Sequence, residues 1–252
     1  DPAGERLSTD RPRHRSMSTD DSSITPRELK ARLDAGDPVA LLDVRAASEY
    51  EAWHIDGETV THANVPYFEF LDGVDEDLLA RIPTGDGAVV TVCAKGDASD
   101  MVAADLREHG VAAVNLEEGM NGWASIYESA TVETPGPATV VQYSRPSSGC
   151  LAYLVVDGDE AAVIDPLRAF ADRYRADAAD RDATITYAID THVHADHVSG
   201  LRAVRDRTSA NAVVGEGVAA RGITYDVTTV ADGDRLPIGD VELEAVHAPG
   251  HT

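Results

Sequence analysis

The stretch 189–200 reads IDTHVHADHVSG, with three histidines and an aspartate inside six residues. A helical metalloprotease spaces its histidines at i and i+4, on one helix face. Here His192 and His194 are two apart, Asp196 follows at i+4 and His197 at i+5. In an extended segment, positions i and i+2 project to the same side. His192, His194 and Asp196 therefore converge at the end of a strand, TYAID, and His197 joins them after a turn. One histidine alone is more often a satisfied core or surface residue. Three with a carboxylate, delivered by one strand end, read as a site for zinc or iron.

The rest of the chain divides around a tract poor in apolar period. Residues 129–137, SATVETPGP, carry two prolines and a glycine and read as a linker. Before it, strands and helices alternate over 22–128. Thr25-Pro26-Arg27-Glu28 is a capping box with proline at the first helical position. Gly36 ends that helix. VALLDV (39–44) and AVVTV (88–92) are short buried strands, and 98–109 has helical periodicity with Met101, Val102 and Leu106 on one side. Such alternation predicts an α/β domain with a mainly parallel sheet. After the linker, TVVQYS, LAYLVV, AAVIDP, NAVVG and VELEAVHA read as strands, and 168–179 as a helix. Residues 1–21 are polar and aperiodic and are expected to be disordered, with Met17 a candidate start. The predicted organisation is thus 1–21, 22–128, linker 129–137, and 138–252.

Charge narrows the function classes. The 252 residues hold 21 basic and 45 acidic side chains, a net of −24. That surface repels phosphate backbones and anionic lipid, so neither nucleic acid nor membrane is expected as a partner. The same composition is similar to that of a salt-adapted, halophilic protein, and is equally that of a solvated acidic surface. No apolar run approaches membrane-helix length, and no signal peptide is visible. Two cysteines far apart in sequence, Cys93 and Cys150, make no disulfide framework and point to a reducing cytoplasm. Cys150 reads as a small buried hydrophobe. Asp165-Pro166 reads as a turn, with Asp165 at most supporting a metal ligand.

Cys93 ends a strand and is followed by a glycine-containing loop and a helix. Backbone N–H groups of such a loop, with the helix N-terminus, favour a thiolate or a bound oxyanion. The same field lowers a cysteine's pKa. An inert buried cysteine is the alternative. The surrounding motifs LLDVRAASEYEAWHIDG (41–57), CAKGDAS (93–99) and NLEEGMNGW (115–123) resemble, in order, those of the rhodanese family. The resemblance implies that Cys93 carries a persulfide sulfur cradled by Ala94, Lys95, Gly96, Asp97, Ala98 and Ser99, with Lys95 helping to hold an anionic donor. It also implies scaffold roles for Asp43, Arg45, Glu49 and His54. Many rhodanese loops carry arginine where this chain has Ala98.

The motif H-x-H-x-D-H after a strand, together with Pro249-Gly250-His251-Thr252, resembles the metallo-β-lactamase superfamily over 138–252. The expected fold class is therefore α/β, a rhodanese-like parallel-sheet domain followed by a metallo-β-lactamase αββα sandwich. That sandwich is expected to be incomplete at its C-terminus, because the family pattern continues past P-G-H-T. The resemblance implies one metal site at His192, His194 and His251, with Asp196 and His197 available for a second. Segments 147–166 and 186–200 are most similar to persulfide dioxygenases, then to glyoxalase II thioesterases.

The dioxygenase resemblance implies one Fe(II), held by His192, His251 and an aspartate beyond residue 252. The thioesterase resemblance implies two Zn(II) ions and a hydroxide nucleophile. The fused rhodanese domain favours oxidation of a thiol persulfide to sulfite, coupled to sulfur transfer. Small molecules, namely a thiol persulfide, thiosulfate or sulfite, are the expected partners. A homo-oligomer stays open, as does a carrier without catalysis.

Overall fold

The computed structural model describes residues 22–219 and 221–250. The N-terminal segment expected to be disordered, and the site residue His251, lie outside them. The chain forms two compact units that divide between Trp123 and Ala124.

The first unit runs β1 (Ser23–Ile24), α1 (Pro26–Asp34), β2 (Val39–Asp43), α2 (Ala47–Ala52), β3 (Val60–Asn64), α3 (Glu76–Leu79), β4 (Val89–Val92), α4 (Asp97–Glu108), β5 (Ala113–Leu116) and α5 (Gly119–Ser125). Its five strands lie in the order β1-β5-β4-β2-β3, and every pairing is parallel. β2, β4 and β5 are buried at every residue. Continuous apolar runs are what a parallel strand needs when both its faces are covered. The capping box of α1 is formed: Thr25 Oγ1 accepts from Glu28 N at 3.2 Å, and Glu28 Oε2 accepts from Thr25 N at 3.0 Å. In α4 the buried positions are Ser99, Val102, Ala103 and Leu106. Met101, expected beside Val102, is 49% exposed. One residue is about a 100° step around a helix, which carries Met101 off that face.

The second unit continues with β6 (Glu128–Val132), β7 (Thr139–Arg145), β8 (Cys150–Asp157), β9 (Glu160–Ile164), α6 (Ala171–Ala179), β10 (Thr184–Asp190), α7 (Leu201–Thr208), β11 (Asn211–Gly215), α8 (Glu216–Ala219), β12 (Thr228–Val230), β13 (Arg235–Ile238) and β14 (Val241–Glu244). The tract 129–137, read as a linker, begins as sheet instead. β6 pairs antiparallel with β7 over Glu128–Val132, and only the Pro-Gly-Pro that follows breaks the ladder.

Seven strands lie in the order β12-β11-β10-β9-β8-β7-β6. β6 to β9 pair antiparallel, and β9 to β12 parallel. One face packs with α6 and α7 in a core that includes Tyr143, Leu154, Tyr174, Leu201 and Val204. There the hydroxyls of Tyr127 and Tyr174 share a hydrogen bond, and Leu167 N donates to Tyr174 Oη at 3.0 Å. The other face takes Ile238 of the β13–β14 hairpin against Val155 and Ala162. Its turn is pinned by Gly239 N donating to Glu160 Oε2 at 3.1 Å and Asp240 N donating to Asp157 Oδ2 at 2.6 Å. Among the described residues, no helix is long and apolar enough to cross a membrane.

Candidate functional sites: a thiolate loop and a histidine–carboxylate cluster

In the first unit, β4 delivers Cys93 to the C-terminal edge of the parallel sheet, where the chain turns into α4. Gly96 takes φ +100°, which brings its N–H to 3.1 Å from Cys93 Sγ. Ser99 Oγ, in the first turn of α4, lies 3.3 Å from the same sulfur. It also contacts Gly96 O at 3.1 Å and Asn115 Oδ1 at 2.7 Å. A hydroxyl has one proton to give, and a thiolate competes for it better than a neutral carbonyl. Burial pushes the Cys93 thiol up. The Ser99 hydroxyl and the backbone of Ser99, Lys95 and Gly96 outweigh it and hold the pKa below its ordinary value.

The loop is buttressed from α5. Met120 N donates to Cys93 O at 2.8 Å, and Asn121 N to Ala94 O at 3.1 Å. Gly119 makes this approach possible: it has φ +53°, and a Cβ there would stand 2.1 Å from Cys93 O. The G-M-x-x-W motif thus holds the cysteine loop through backbone contact. Ala94, Lys95 and Asp97 are exposed, and Ala98 is half-buried. Asp43 and Arg45 form a buried ion pair at 2.6 Å, and Arg45 Nη2 also donates to Trp53 O at 2.6 Å. His54 Nδ1 contacts Tyr50 O at 2.9 Å, and the Glu49 carboxylate accepts from Ala46 N at 3.4 Å.

In the second unit, β10 ends at Asp190 and the chain enters the 191–200 loop. The structure divides the sequence cluster into two groups. His192 and His194 gather with Asp165, and Asp196 and His197 gather with Cys150. Within each group one potential ligand atom per residue lies within 4.8 Å of the others. Asp165 and Cys150 come from the ends of neighbouring strands, far from the histidine motif in sequence.

Asp165 sits just past β9 with φ +51°, a left-handed conformation that an L-residue adopts at a cost of about 1–2 kcal/mol. Its Oδ1 lies 3.1 Å from His194 Nε2 and accepts from Thr191 N at 2.7 Å; its Oδ2 accepts from Thr191 Oγ1 at 2.7 Å. Burial would raise this carboxyl, but His194 and Thr191 hold it below the ordinary range. An ionised carboxylate only accepts, so His194 Nε2 carries a hydrogen and Nδ1 keeps the lone pair. The Thr191 proton is committed to Asp165. Its oxygen, 2.7 Å from His192 Nδ1, therefore accepts from that nitrogen, which leaves the His192 lone pair on Nε2. One carboxylate sets both tautomers, as metal-binding histidines require. The pair also raises the His194 pKa, against burial.

Asp190 Oδ2 accepts from Ser199 Oγ at 2.6 Å. Burial pushes Asp190 up to about 6, against that hydrogen bond and the nearby His194. His197 has a side chain only 3% exposed. Neither of its ring nitrogens has a hydrogen-bond partner among the described residues. Its Nδ1 is 3.3 Å from Asp196 Oδ1. Burial, then the neighbouring His194, lowers its pKa, which keeps the ring neutral. Cys150 Sγ donates to Asp196 Oδ2 at 3.2 Å and accepts from Ser148 Oγ at 3.0 Å. Its own pKa is raised, by burial first.

Residues 25–126 match the Rhodanese-like domain family, and residues 146–252 match the Metallo-beta-lactamase superfamily. The chain joins a rhodanese domain to a metallo-β-lactamase-fold domain. A "Beta-lactamase hydrolase-like protein" of Xylella fastidiosa (strain 9a5c) is 24% identical over 246 residues, 82% of this chain and 54% of that protein. The chain therefore spans about half the length of this relative. The metallo-β-lactamase half is also similar to glyoxalase II: a "Hydroxyacylglutathione hydrolase" of Parasynechococcus marenigrum (strain WH8102) is 32% identical over 100 residues, 40% of this chain and 39% of that one. Among solved structures, ETHE1 from Myxococcus xanthus shares 33% identity over 41% of this chain and 45% of its own, with a TM-score of 0.37.

Proposed function

We propose that the protein is a sulfur-metabolism enzyme that oxidises a thiol persulfide to sulfite in its metallo-β-lactamase domain and moves sulfane sulfur on Cys93 in its rhodanese domain. One observation carries this reading. A sulfur held by an N–H at 3.1 Å and a hydroxyl at 3.3 Å occurs in the same chain as a half-buried histidine–carboxylate cluster. A domain suited to hold a persulfide, joined in one chain to a domain suited to consume one, makes a single pathway.

In the rhodanese domain, the Cys93 thiolate attacks the outer sulfur of thiosulfate or of a persulfide. The donor's S–S bond breaks and sulfite or thiol leaves with the electron pair. The new persulfide anion takes over the donors from Gly96 and Ser99. Those donors are in place before the sulfur arrives and need not reorganise.

In the metallo-β-lactamase domain the donors fit a divalent metal. His192 and His194 are held in the tautomers a ligand needs, and His197 is a buried imidazole whose nitrogens have no hydrogen-bond partner among the described residues. His192, with His251 of the P-G-H-T motif, would hold Fe(II), which would supply the site for dioxygen and sulfur chemistry; His194 lies beside His192. The chain's own part is to orient these rings through Asp165 and Thr191 and to exclude water around His194 and His197. Overall, thiol persulfide, dioxygen and water become thiol and sulfite.

The test is oxygen uptake by the intact protein, loaded with Fe(II) and given a thiol persulfide. Uptake with sulfite release, lost in His251→Ala, supports the proposal; no uptake with any thiol persulfide ends it. A second reading, a zinc-dependent thioesterase, is favoured by Asp196 and His197 lying together beside the first group. Thioester cleavage by the zinc-loaded protein without oxygen uptake would select it.

A further inference from the structure

We propose that Asn115 is a positioning residue for sulfur transfer on Cys93: its side-chain amide turns its NH2 group toward Ser99 Oγ and so directs that hydroxyl's only proton onto the sulfur. The inference rests on the rhodanese half of the reading above and not on the metal domain.

The sheet assembles the group. β4 and β5 read VVTV and AVNL, runs buried at every residue and each interrupted by one polar side chain, Thr91 and Asn115. These two are partners across the parallel ladder. Alternate residues of an extended segment share a face, so Thr91 points the same way as Cys93. Thr91 Oγ1 donates to Ser99 O at 2.9 Å, and Asn115 Oδ1 lies 2.7 Å from Ser99 Oγ. One member of the pair thus fixes the backbone of Ser99 and the other its hydroxyl. A buried polar side chain costs free energy unless it is hydrogen-bonded, and both of these find their bond on the same residue of the cysteine loop.

Counting protons decides the direction. Ser99 Oγ has one hydrogen and contacts Cys93 Sγ at 3.3 Å, Gly96 O at 3.1 Å and the Asn115 amide at 2.7 Å. Gly96 O already accepts from Asp100 N at 3.0 Å. A thiolate is the strongest of these acceptors. With the proton on the sulfur, an amide oxygen at 2.7 Å would set two acceptors face to face. The amide nitrogen in the same place donates instead. Half a turn about χ2 exchanges the two atoms. Among the described residues, the amide has no other hydrogen bond to lose in that turn.

The relay for the thiolate therefore runs from Asn115 Nδ2–H to Ser99 Oγ, and from Ser99 O–H to Cys93 Sγ. Each bond polarises the next, so the amide strengthens the hydroxyl's bond to sulfur. When Cys93 is a thiol the order reverses. Its S–H gives to Ser99 Oγ, and the Ser99 O–H gives to Asn115 Oδ1. Loss of the thiol proton and the turn of the amide are then one event.

The test is the pH midpoint of Cys93 alkylation by iodoacetamide, in a Cys150→Ser chain where Cys93 is the one thiol. Asn115→Leu should raise the midpoint by about half a unit or more, a roughly threefold loss of thiolate at fixed pH below it. The same substitution should add nothing once Ser99 is replaced by alanine. A midpoint that falls would show that the amide takes the Ser99 proton in competition with the sulfur, and overturns the proposal. So does no shift, or an equal shift with and without the Ser99 hydroxyl, which is what a residue that only supports packing would give. The readout uses no sulfur donor. A parent chain that transfers no sulfur would end the rhodanese reading and leave this result standing.

A second measurement needs no substitution at Asn115. The chain has four asparagines, so isotopic labelling of asparagine nitrogen resolves few side-chain amides. One of them should change its resonance with the Cys93 midpoint and lose that change in Ser99→Ala. If none follows the midpoint, the proposal fails, even where Asn115→Leu does not fold.

Discussion

Asp165 Oδ1 stands 3.1 Å from His194 Nε2, and the backbone that places it there is left-handed. The side chain that sets the tautomers of two histidines is thus delivered by a strained residue on a different strand. That role uses both carboxylate oxygens as acceptors, which an amide of the same shape cannot supply. Asn tolerates the left-handed region, so Asp165→Asn should fold like the parent. Its metal affinity should fall about 10–100-fold, because the amide no longer fixes both rings. Competition with a chromogenic chelator reads this directly; unchanged affinity would remove Asp165 from that role.

Cys93 gives a pH prediction. The thiolate is the reactive form, and hydrogen bonds hold its pKa below the ordinary value despite burial. Its reactive fraction should therefore persist as pH falls below the free-cysteine value of about 8.5. Alkylation rate against pH, with Cys150→Ser as background, should show this midpoint. Ser99→Ala removes one of the stabilising donors and should move the midpoint upward while the domain stays folded. A midpoint that does not move would show that the backbone alone holds the sulfur.

Gly119→Ala tests the buttress beneath the loop. The new Cβ would meet Cys93 O at 2.1 Å, at a position with φ +53°. Left-handed backbone costs an L-residue about 1–2 kcal/mol, and relieving such a clash costs a further ~1–3 kcal/mol. At about 4–8 °C per kcal/mol for a domain of this size, the melting temperature of the rhodanese unit should fall by about 8 °C or more. Calorimetry of the intact chain should show the loss in one transition. Sulfur transfer should fall with it, since the loop that holds Cys93 must shift.

Arg45→Ala leaves Asp43 buried and unpaired, with Asp43 fully shielded from solvent. Breaking one side of such a pair costs about 3–5 kcal/mol. The double replacement of Asp43 and Arg45 by alanine should cost less than the sum of the two single ones, because the pair acts as a unit. Urea unfolding of the four proteins gives the coupling; strict additivity would mean that the pair carries no interaction energy.

Much of the fold could be read from local signals. The capping box at Thr25, the fully apolar runs of β2 and β4, and the cysteine at a strand end each declare themselves within a few residues. The histidine motif was legible for the same reason: its spacing alone puts ligands on one side. What escaped is what pairing brings together. Asp165 and Cys150 are distant in sequence from His192–His197, and nothing near them marks their part. Parallel β9–β10 pairing carries Asp165 to the motif, and β8 sits beside β9 with Cys150 at its start. The tract 129–137 holds both linker and sheet: ESATV carries no strong local strand signal, and pairing along β7 makes it an edge strand. Met101 lies one helical step, about 100°, off the buried face of α4.

The 191–200 loop is fastened at its far end as well as at β10. Gly200 N donates to Pro166 O at 2.5 Å, Arg168 N donates to Val198 O at 3.0 Å, and Leu167 bridges Ser199. A Cβ on Gly200 would come within 2.8 Å of Pro166 O. The amide of Gly200, at the loop's end, and that of Arg168, outside it, are held in these bonds and should exchange with water more slowly than the exposed amides of the loop. The segment with the densest chemistry in the chain is thereby tied down at both ends while Thr191, Val193, Ala195, Asp196 and Val198 stay open to solvent.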